Sequence, residues 1–523
     1  MSSSQGNASL QSNQTEPLLP SKTTYLHWLI GCLLVAVFLA SRLANLTILP
    51  IFTDEGMHIE RAQRMLETGD FIGGTLAGKF LHTWLLALII PWTQNLLIAA
   101  RALSVATGLA CGIATIVLAY TLWPDRAMGW VTALIYLALP LPLINERMAL
   151  TDSLLAVLAT LILILSIRLI RKPRNVTGYV LGVCLGLAYL TKLNGLIYFA
   201  IPVLAFVLLR KETQSLKILI RPYLLAPLIA LPTALEFPRQ FFSVAVRSVL
   251  NPVGPQMSAG SWRLYGLGET WLDLTTYVTW PILLLAAVRL VYGLRNRERE
   301  TALIGVLLLL TPSFYILLAK DVWYSRYLLP MIPLIVILAA RMLIDLASLL
   351  PQHTRLRNEK VSLVVLCLVT LLPSLVFDYE LIRDPEHSRF TAIDRWQYIS
   401  GWPAGYGLSE TVAWLRQKAA DEGPLVVITD THSGPTQEGI RLYLGNGEPG
   451  IGLLSVDLRS DSGDEMLQQV VQAQTVPTLL LLNEPADKDL NPSISPCPTV
   501  LAVFPKPGNQ SRLVLKGCTT SPP

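Results

Sequence analysis

Charge is scarce in this 523-residue chain. Asp, Glu, Lys and Arg make up 15% of it, whereas a soluble domain carries about 25%. Hydrophobic residues reach 52% and the mean hydropathy is +0.49, so the chain lacks the polar atoms to cover three soluble domains in water. Only 6 cysteines are present, too few for a secreted scaffold built on disulfides. No His or Cys ligand spacing marks a metal motif. The composition also fits neither a disordered chain nor a nucleic-acid-binding protein.

What is abundant is apolar sequence. Runs of about 17–25 residues recur, each long enough to cross a bilayer as a helix. The expected fold is an α-helical polytopic membrane protein of about eleven transmembrane helices, carrying a C-terminal extracytoplasmic α/β domain. Residues 1–24 are polar and expected to be unstructured in the cytoplasm. The run 25–46 reads as an uncleaved first span. Later spans are expected at 99–122, 127–144, 153–170, 177–191, 195–209, 218–235, 274–294, 301–318, 327–347 and 361–377.

The charge is unevenly divided. Residues 1–377 carry net +12 and residues 378–523 net −7. Four basic clusters lie between alternate spans: Arg168 to Arg174, Arg210 to Arg221, Arg289 to Arg299 and Arg341 to Lys360. The positive-inside tendency places them in the cytoplasm. The connections 47–98, 145–152, 192–194, 236–273 and 319–326, with residues 378–523, then face outward. The stretch 80–92 is apolar but short and carries His82. Read as half-embedded, it leaves 47–98 outside; read as a full span, it reverses the N-terminus.

In residues 378–523, SETVAWLRQKAADEG (409–423) has a helical pattern. Strands are expected at 425–430, 478–484, 499–504 and 511–516. Cys497 and Cys518 fall in this part, either as a disulfide or as two free thiols.

Three groups of residues could carry chemistry. Asp54 and Glu55 follow the first span at the start of an amphipathic helix, where the dipole favours their ionised forms. They act there as helix caps or as a base and cation ligand. Glu146, Arg147 and Asp152 lie at the outer end of two spans, with Asp152 again opening a helix. Lys79, Lys192, Lys320, Tyr324, Arg326 and Tyr327 are cations and aromatics on outward connections, against the positive-inside tendency. Snorkelling with an aromatic belt is one reading; binding an anionic lipid headgroup is the other. Acids and cations meeting on one membrane face suit the transfer of a sugar carried on a lipid phosphate. The incoming group needs a base, and the departing phosphate needs positive charge.

These residues resemble the C-type (GT-C) superfamily of polytopic glycosyltransferases, specifically its dolichyl-phosphate-mannose-protein mannosyltransferase and aminoarabinose transferase branches. The resemblance spans roughly residues 25–345. It rests on Asp54-Glu55 with the helix ending Glu67-Thr68-Gly69-Asp70, on Arg147 and Asp152, on Leu190-Thr191-Lys192 through Gly195, and on Arg326-Tyr327 through Pro330 and Pro333. Relatives carry Lys-Pro-Pro-Leu where this chain has Lys79-Phe80-Leu81-His82.

The resemblance implies an inverting glycosyltransferase of the cytoplasmic membrane. It would move a sugar from a polyprenyl-phosphate donor to a protein, lipid or glycan acceptor on the outer face. Asp54 is the implied base, Glu55 its support or a metal ligand, and Asp152 the orienting acid. Lys79, Arg147, Lys192 and Arg326 are implied at the donor phosphate, with Tyr324 and Tyr327 as hydrogen-bond donors. No cofactor is singled out, and a divalent cation stays an open alternative. The competing reading is a lipid-linked sugar flippase or secondary transporter without transferase activity.

Overall fold

The computed structural model describes residues 22–72, 79–212, 214–234, 259–318, 323–349, 358–431, 434–445, 448–460, 462–484 and 496–519. The expected unstructured N-terminus lies almost entirely outside these residues. So do Lys320, the six residues after Asp70-Phe71-Ile72 and most of the 236–273 connection.

The chain is a multi-pass membrane protein. Its first eight helices are α1 (Lys22–Leu43), α2 (Thr53–Thr68), α3 (Phe80–Ile89), α4 (Leu96–Leu122), α5 (Arg126–Leu137), α6 (Pro140–Glu146), α7 (Asp152–Arg171) and α8 (Asn175–Thr191). Among the described residues five helices are long and apolar enough to cross a bilayer: Leu96–Leu122, Asp152–Arg171, Arg299–Leu317, Ser325–Leu349 and Glu359–Arg383. Two bent pairs raise this to seven if each is one span. These are α5 with α6, bent by 63°, and Arg263–Tyr277 with Trp280–Arg295, bent by 113°.

Helix occupies every one of the eleven expected segments, but not as eleven long helices. Pro140 and Pro142 break the third segment, 127–144. Short 3-10 turns at Leu193–Phe199 and Leu216–Leu219 shorten two others. Hydropathy counts apolar residues regardless of the backbone path they take, so it does not register these breaks.

α7 is apolar all round and is the central element. It is buried along its length and packs against α4, α8 and the helix Ala200–Leu209. α3 spans ten residues and ends in a 3-10 turn, Ile90–Trp92. It rises about 15 Å, short of a ~30 Å hydrocarbon core, and packs on α2, α4 and α8.

The C-terminal part holds a five-stranded mixed sheet: β1 (Leu425–Asp430), β2 (Ile451–Val456), β3 (Thr478–Glu484), β4 (Thr499–Pro505) and β5 (Arg512–Gly517). Their order is β2-β1-β3-β5-β4, with β1 parallel to β2 and β3, and β5 antiparallel to β3 and β4. The expected helix is present as Leu408–Glu422. β2 was not expected. It is an edge strand with most of its residues only partly covered, and it contains Gly452, so it lacks the apolar run that marked the others. Cys497 and Cys518 are joined in a disulfide.

This part docks directly on the start of α2. Phe52 bridges to Ala404, and the Thr53 amide and hydroxyl both donate to the Pro403 carbonyl, at 3.1 and 3.0 Å. Gly405 permits the approach: a Cβ there would lie 2.2 Å from the Ile51 carbonyl oxygen. The residues on either side of Asp54 are thus held between the helical bundle and the C-terminal part.

Candidate active site

α2 begins one residue after Phe52, and Glu55 closes a capping box on the Phe52 amide at 2.9 Å. Both Glu55 oxygens also take the Arg101 guanidinium, at 2.8 and 2.7 Å, and one accepts the Ala149 amide at 2.7 Å. Arg101 further donates to the carbonyls of Leu46, Leu49 and Pro50. Glu55 and Arg101 are fully buried. Their pairing ties the linker after α1 to α4 and to the loop before α7. Every Glu55 acceptor direction faces a protein donor. Arg101 was not anticipated, although an arginine five residues into an apolar helix is an unusual and therefore informative feature.

Asp54, next in the chain, points the other way. Its Oδ2 accepts from Arg326 Nη2 at 3.0 Å, and its side chain is 28% exposed. Arg326 comes from the 3-10 turn Ser325–Met331. Its Nε lies 4.0 Å from Asp152 Oδ2, and Lys192 Nζ donates to Asp152 Oδ1 at 2.8 Å. Two acids and two bases from four separate stretches therefore form a continuous chain: Asp54, Arg326, Asp152, Lys192. Asp152 sits at the start of α7.

Aromatic rings support the cations. The Arg326 guanidinium lies 4.4 Å from the Tyr324 ring and 5.5 Å from that of Phe52. Lys192 Nζ lies 5.0 Å from the Tyr327 ring, which stacks on Tyr315 at 4.1 Å. Asn194 holds Tyr315 by a 2.7 Å bond to its hydroxyl.

Lys79, at the entry to α3, joins this group through its charge. Burial lowers its pKa to about 8, against the attraction of Asp54, with Lys192, Arg61 and Arg326 adding repulsion. Burial alone would raise the Asp54 carboxyl. The opposing charges of Arg326, Lys79, Lys192 and Arg61 outweigh it and hold the group below its ordinary value. α2 and α3 meet through His58 and His82, whose ring centroids are 5.1 Å apart and which are both buried. Burial, then Lys79, pushes the His58 imidazole well below its usual range, so it sits there neutral.

Arg147 lies apart from this group. It donates to the Ser41 and Asn45 carbonyls at 3.1 and 2.8 Å, satisfying the open C-terminal end of α1. Its neighbour Glu146 pairs instead with Arg42 at 2.9 Å and accepts from Tyr136 at 2.7 Å. Among the described residues no group of three or more His, Cys, Asp or Glu is placed to hold a metal ion.

Residues 60–247 match the family model for dolichyl-phosphate-mannose-protein mannosyltransferase (PMT). Over 96% of its length the chain superposes on ArnT from Cupriavidus metallidurans in the apo state, with a TM-score of 0.62, 15% identity and 100% of that chain covered. ArnT bound to undecaprenyl phosphate gives a TM-score of 0.60 at 15% identity, covering 96% of this chain and 99% of that one.

The GT-C resemblance holds.

The Archaeoglobus fulgidus oligosaccharyltransferase, in complex with Zn and sulfate, is a more distant structural likeness. Its TM-score is 0.51 at 10% identity, over 86% of this chain and 67% of that one. No curated protein sequence matches the chain. The family match includes Lys79, Asp152 and Lys192 but begins after Asp54 and ends before Arg326.

Proposed function

We propose that the chain is an inverting glycosyltransferase that moves a sugar from a polyprenyl-phosphate donor to a protein, lipid or glycan acceptor. The reaction takes place on the outer face of the cytoplasmic membrane. The N-terminus is cytoplasmic, residues 25–377 form the catalytic membrane domain, and residues 378–523 form the domain above it. The observation that carries this reading is the chain of alternating charge from Asp54 through Arg326 and Asp152 to Lys192. The family match and the likeness to ArnT, which is known with undecaprenyl phosphate bound, support the choice of donor.

In this mechanism the acceptor oxygen or nitrogen bonds to the sugar C1 as the C1–O bond to phosphate breaks. The acceptor proton passes to Asp54. The leaving polyprenyl phosphate carries the electron pair, and Arg326, Lys192 and Lys79 stabilise its charge. A carboxylate held low by an arginine is a weak base. A donor phosphate competing for Arg326 changes that: as Arg326 turns to the phosphate, Asp54 loses its closest cation and becomes more basic. Donor binding therefore precedes activation of the acceptor. Asp152 keeps Lys192 and Arg326 at the spacing that a phosphate can span.

The test is a reconstituted assay with radiolabelled polyprenyl-phosphate sugars and candidate acceptors. A covalent product is expected. Sugar movement across the bilayer without product would instead favour a flippase, and the absence of both would make the chain a non-catalytic scaffold.

A further inference from the structure

The residues that follow the last membrane helix return to the site. A short helix, Ala392–Arg395, runs into a five-residue π turn, Trp396–Ser400. Wide turns of this kind often occur at functional positions. This one delivers Gln397 to Arg326: the guanidinium donates through Nη1 to Gln397 Oε1 at 3.0 Å while Nη2 holds Asp54.

The Gln397 amide is itself fixed. Its Nε2 donates to Asp394 Oδ1 at 3.2 Å, so the carbonyl is the end turned to Arg326. Asp394 Oδ2 accepts from Ser325 Oγ at 2.5 Å and from the Tyr277 hydroxyl at 2.7 Å. Gln397, Asp394, Tyr277 and Ser325 are all buried. The same turn carries Tyr398, which packs edge-on against Phe52 with ring centroids 5.2 Å apart. Phe52 in turn faces the guanidinium. One segment of the C-terminal part thus braces Arg326 from two sides.

The neutral amide is chemically informative. A carboxylate at this position would hold the guanidinium more tightly but would neutralise it. An amide oxygen orients the fork and leaves its charge for an incoming anion. The carboxyl group that secures the arrangement sits one hydrogen bond further back, on Asp394.

We propose, resting on the glycosyltransferase reading above, that Gln397 is a positioning residue that sets the angle at which Arg326 receives the donor phosphate. The C-terminal part therefore completes the donor site rather than merely covering it.

The test uses the full-length protein in detergent micelles with undecaprenyl phosphate as the probe. Gln397→Glu combined with Asp394→Asn reverses the polarity of the buried pair. The Asn amide can donate to the new carboxylate while its oxygen still accepts from Ser325 and Tyr277. Hydrogen bonds and net charge are kept, but the negative charge moves next to Arg326. Undecaprenyl phosphate affinity is expected to fall about tenfold or more, with the thermal transition kept close to that of the wild type. Unchanged affinity in a folded double variant overturns the proposal.

Should the double variant fail to fold, Gln397→Met decides. It keeps the volume and removes the acceptor. A donor KM raised several-fold together with a loss in kcat supports positioning; wild-type values for both overturn it. A wild-type protein that neither binds undecaprenyl phosphate nor transfers sugar removes the glycosyltransferase reading, and this inference with it. A wild-type protein that transfers sugar while both variants match it removes only the role of Gln397.

Discussion

Asp54 and Arg326 are 272 residues apart in the chain and 3.0 Å apart in the fold. Asp54 lies on a helix that starts just beyond the first span, and Arg326 on a turn that opens a late one. Their pairing brings the acid side and the cation side of the proposed reaction together.

Asp54→Asn keeps the size of the side chain and can still accept from Arg326, but it cannot take a proton. Turnover is expected to fall by about 10² or more, with the thermal transition in detergent essentially unchanged. Near wild-type turnover in purified protein would remove Asp54 from the mechanism.

Glu55→Gln, one residue on, is expected to do the opposite. It leaves Arg101 as a buried charge without its counter-ion, at a cost of about 3–5 kcal/mol of stability. Denaturant or thermal melts read this directly. Donor affinity in the fraction that folds is expected to stay near wild type. A Glu55 variant of normal stability but no activity would reassign Glu55 to the chemistry.

Lys79 gives the site an alkaline limit. Burial depresses its pKa to about 8, so the charge proposed to bind the donor phosphate is present below that pH and lost as pH rises through it. In the profile of kcat/KM for donor, which reports the free enzyme, a fall is expected with its midpoint near 8. Lys79→Arg stays charged and moves that limb upward. For folding the sign is reversed: burying the ammonium costs stability below pH 8, and the cost fades as pH rises toward the ordinary 10.5. A flat wild-type profile through this range counts against Lys79 at the donor.

The Cys497–Cys518 disulfide joins residues 21 apart in sequence. Loop closure of that length contributes about 3 kcal/mol. Reduction, or Cys497→Ala with Cys518→Ala, is expected to lower the melting transition of the C-terminal part. A midpoint unaffected by reductant would show that the sheet holds without it.

Some of the site was legible without a structure. Asp54, Asp152, Lys192 and Arg326 stand out in sequence because ionised groups beside apolar spans need a reason to be there. Glu55 and Arg147 carry the same signal, yet Glu55 is enclosed by Arg101 and backbone amides, and Arg147 caps α1. Charge beside a span reports that a partner is needed but not which partner it is. Gln397 carried no signal at all, since a neutral amide in a soluble-looking segment is unremarkable until its neighbours are known.

The sequence by itself determined the membrane class, the position of the apolar segments and the helix that carries Asp54, because hydropathy and helical periodicity are properties of neighbouring residues. Tertiary structure decided which segments run straight and which bend. It also decided that adjacent acids face opposite partners, and that residues after the last span reach back to Arg326. Ion pairs and hydrogen bonds depend on where distant elements cross, and that crossing is set by the packing of the whole bundle rather than by any local run of residues.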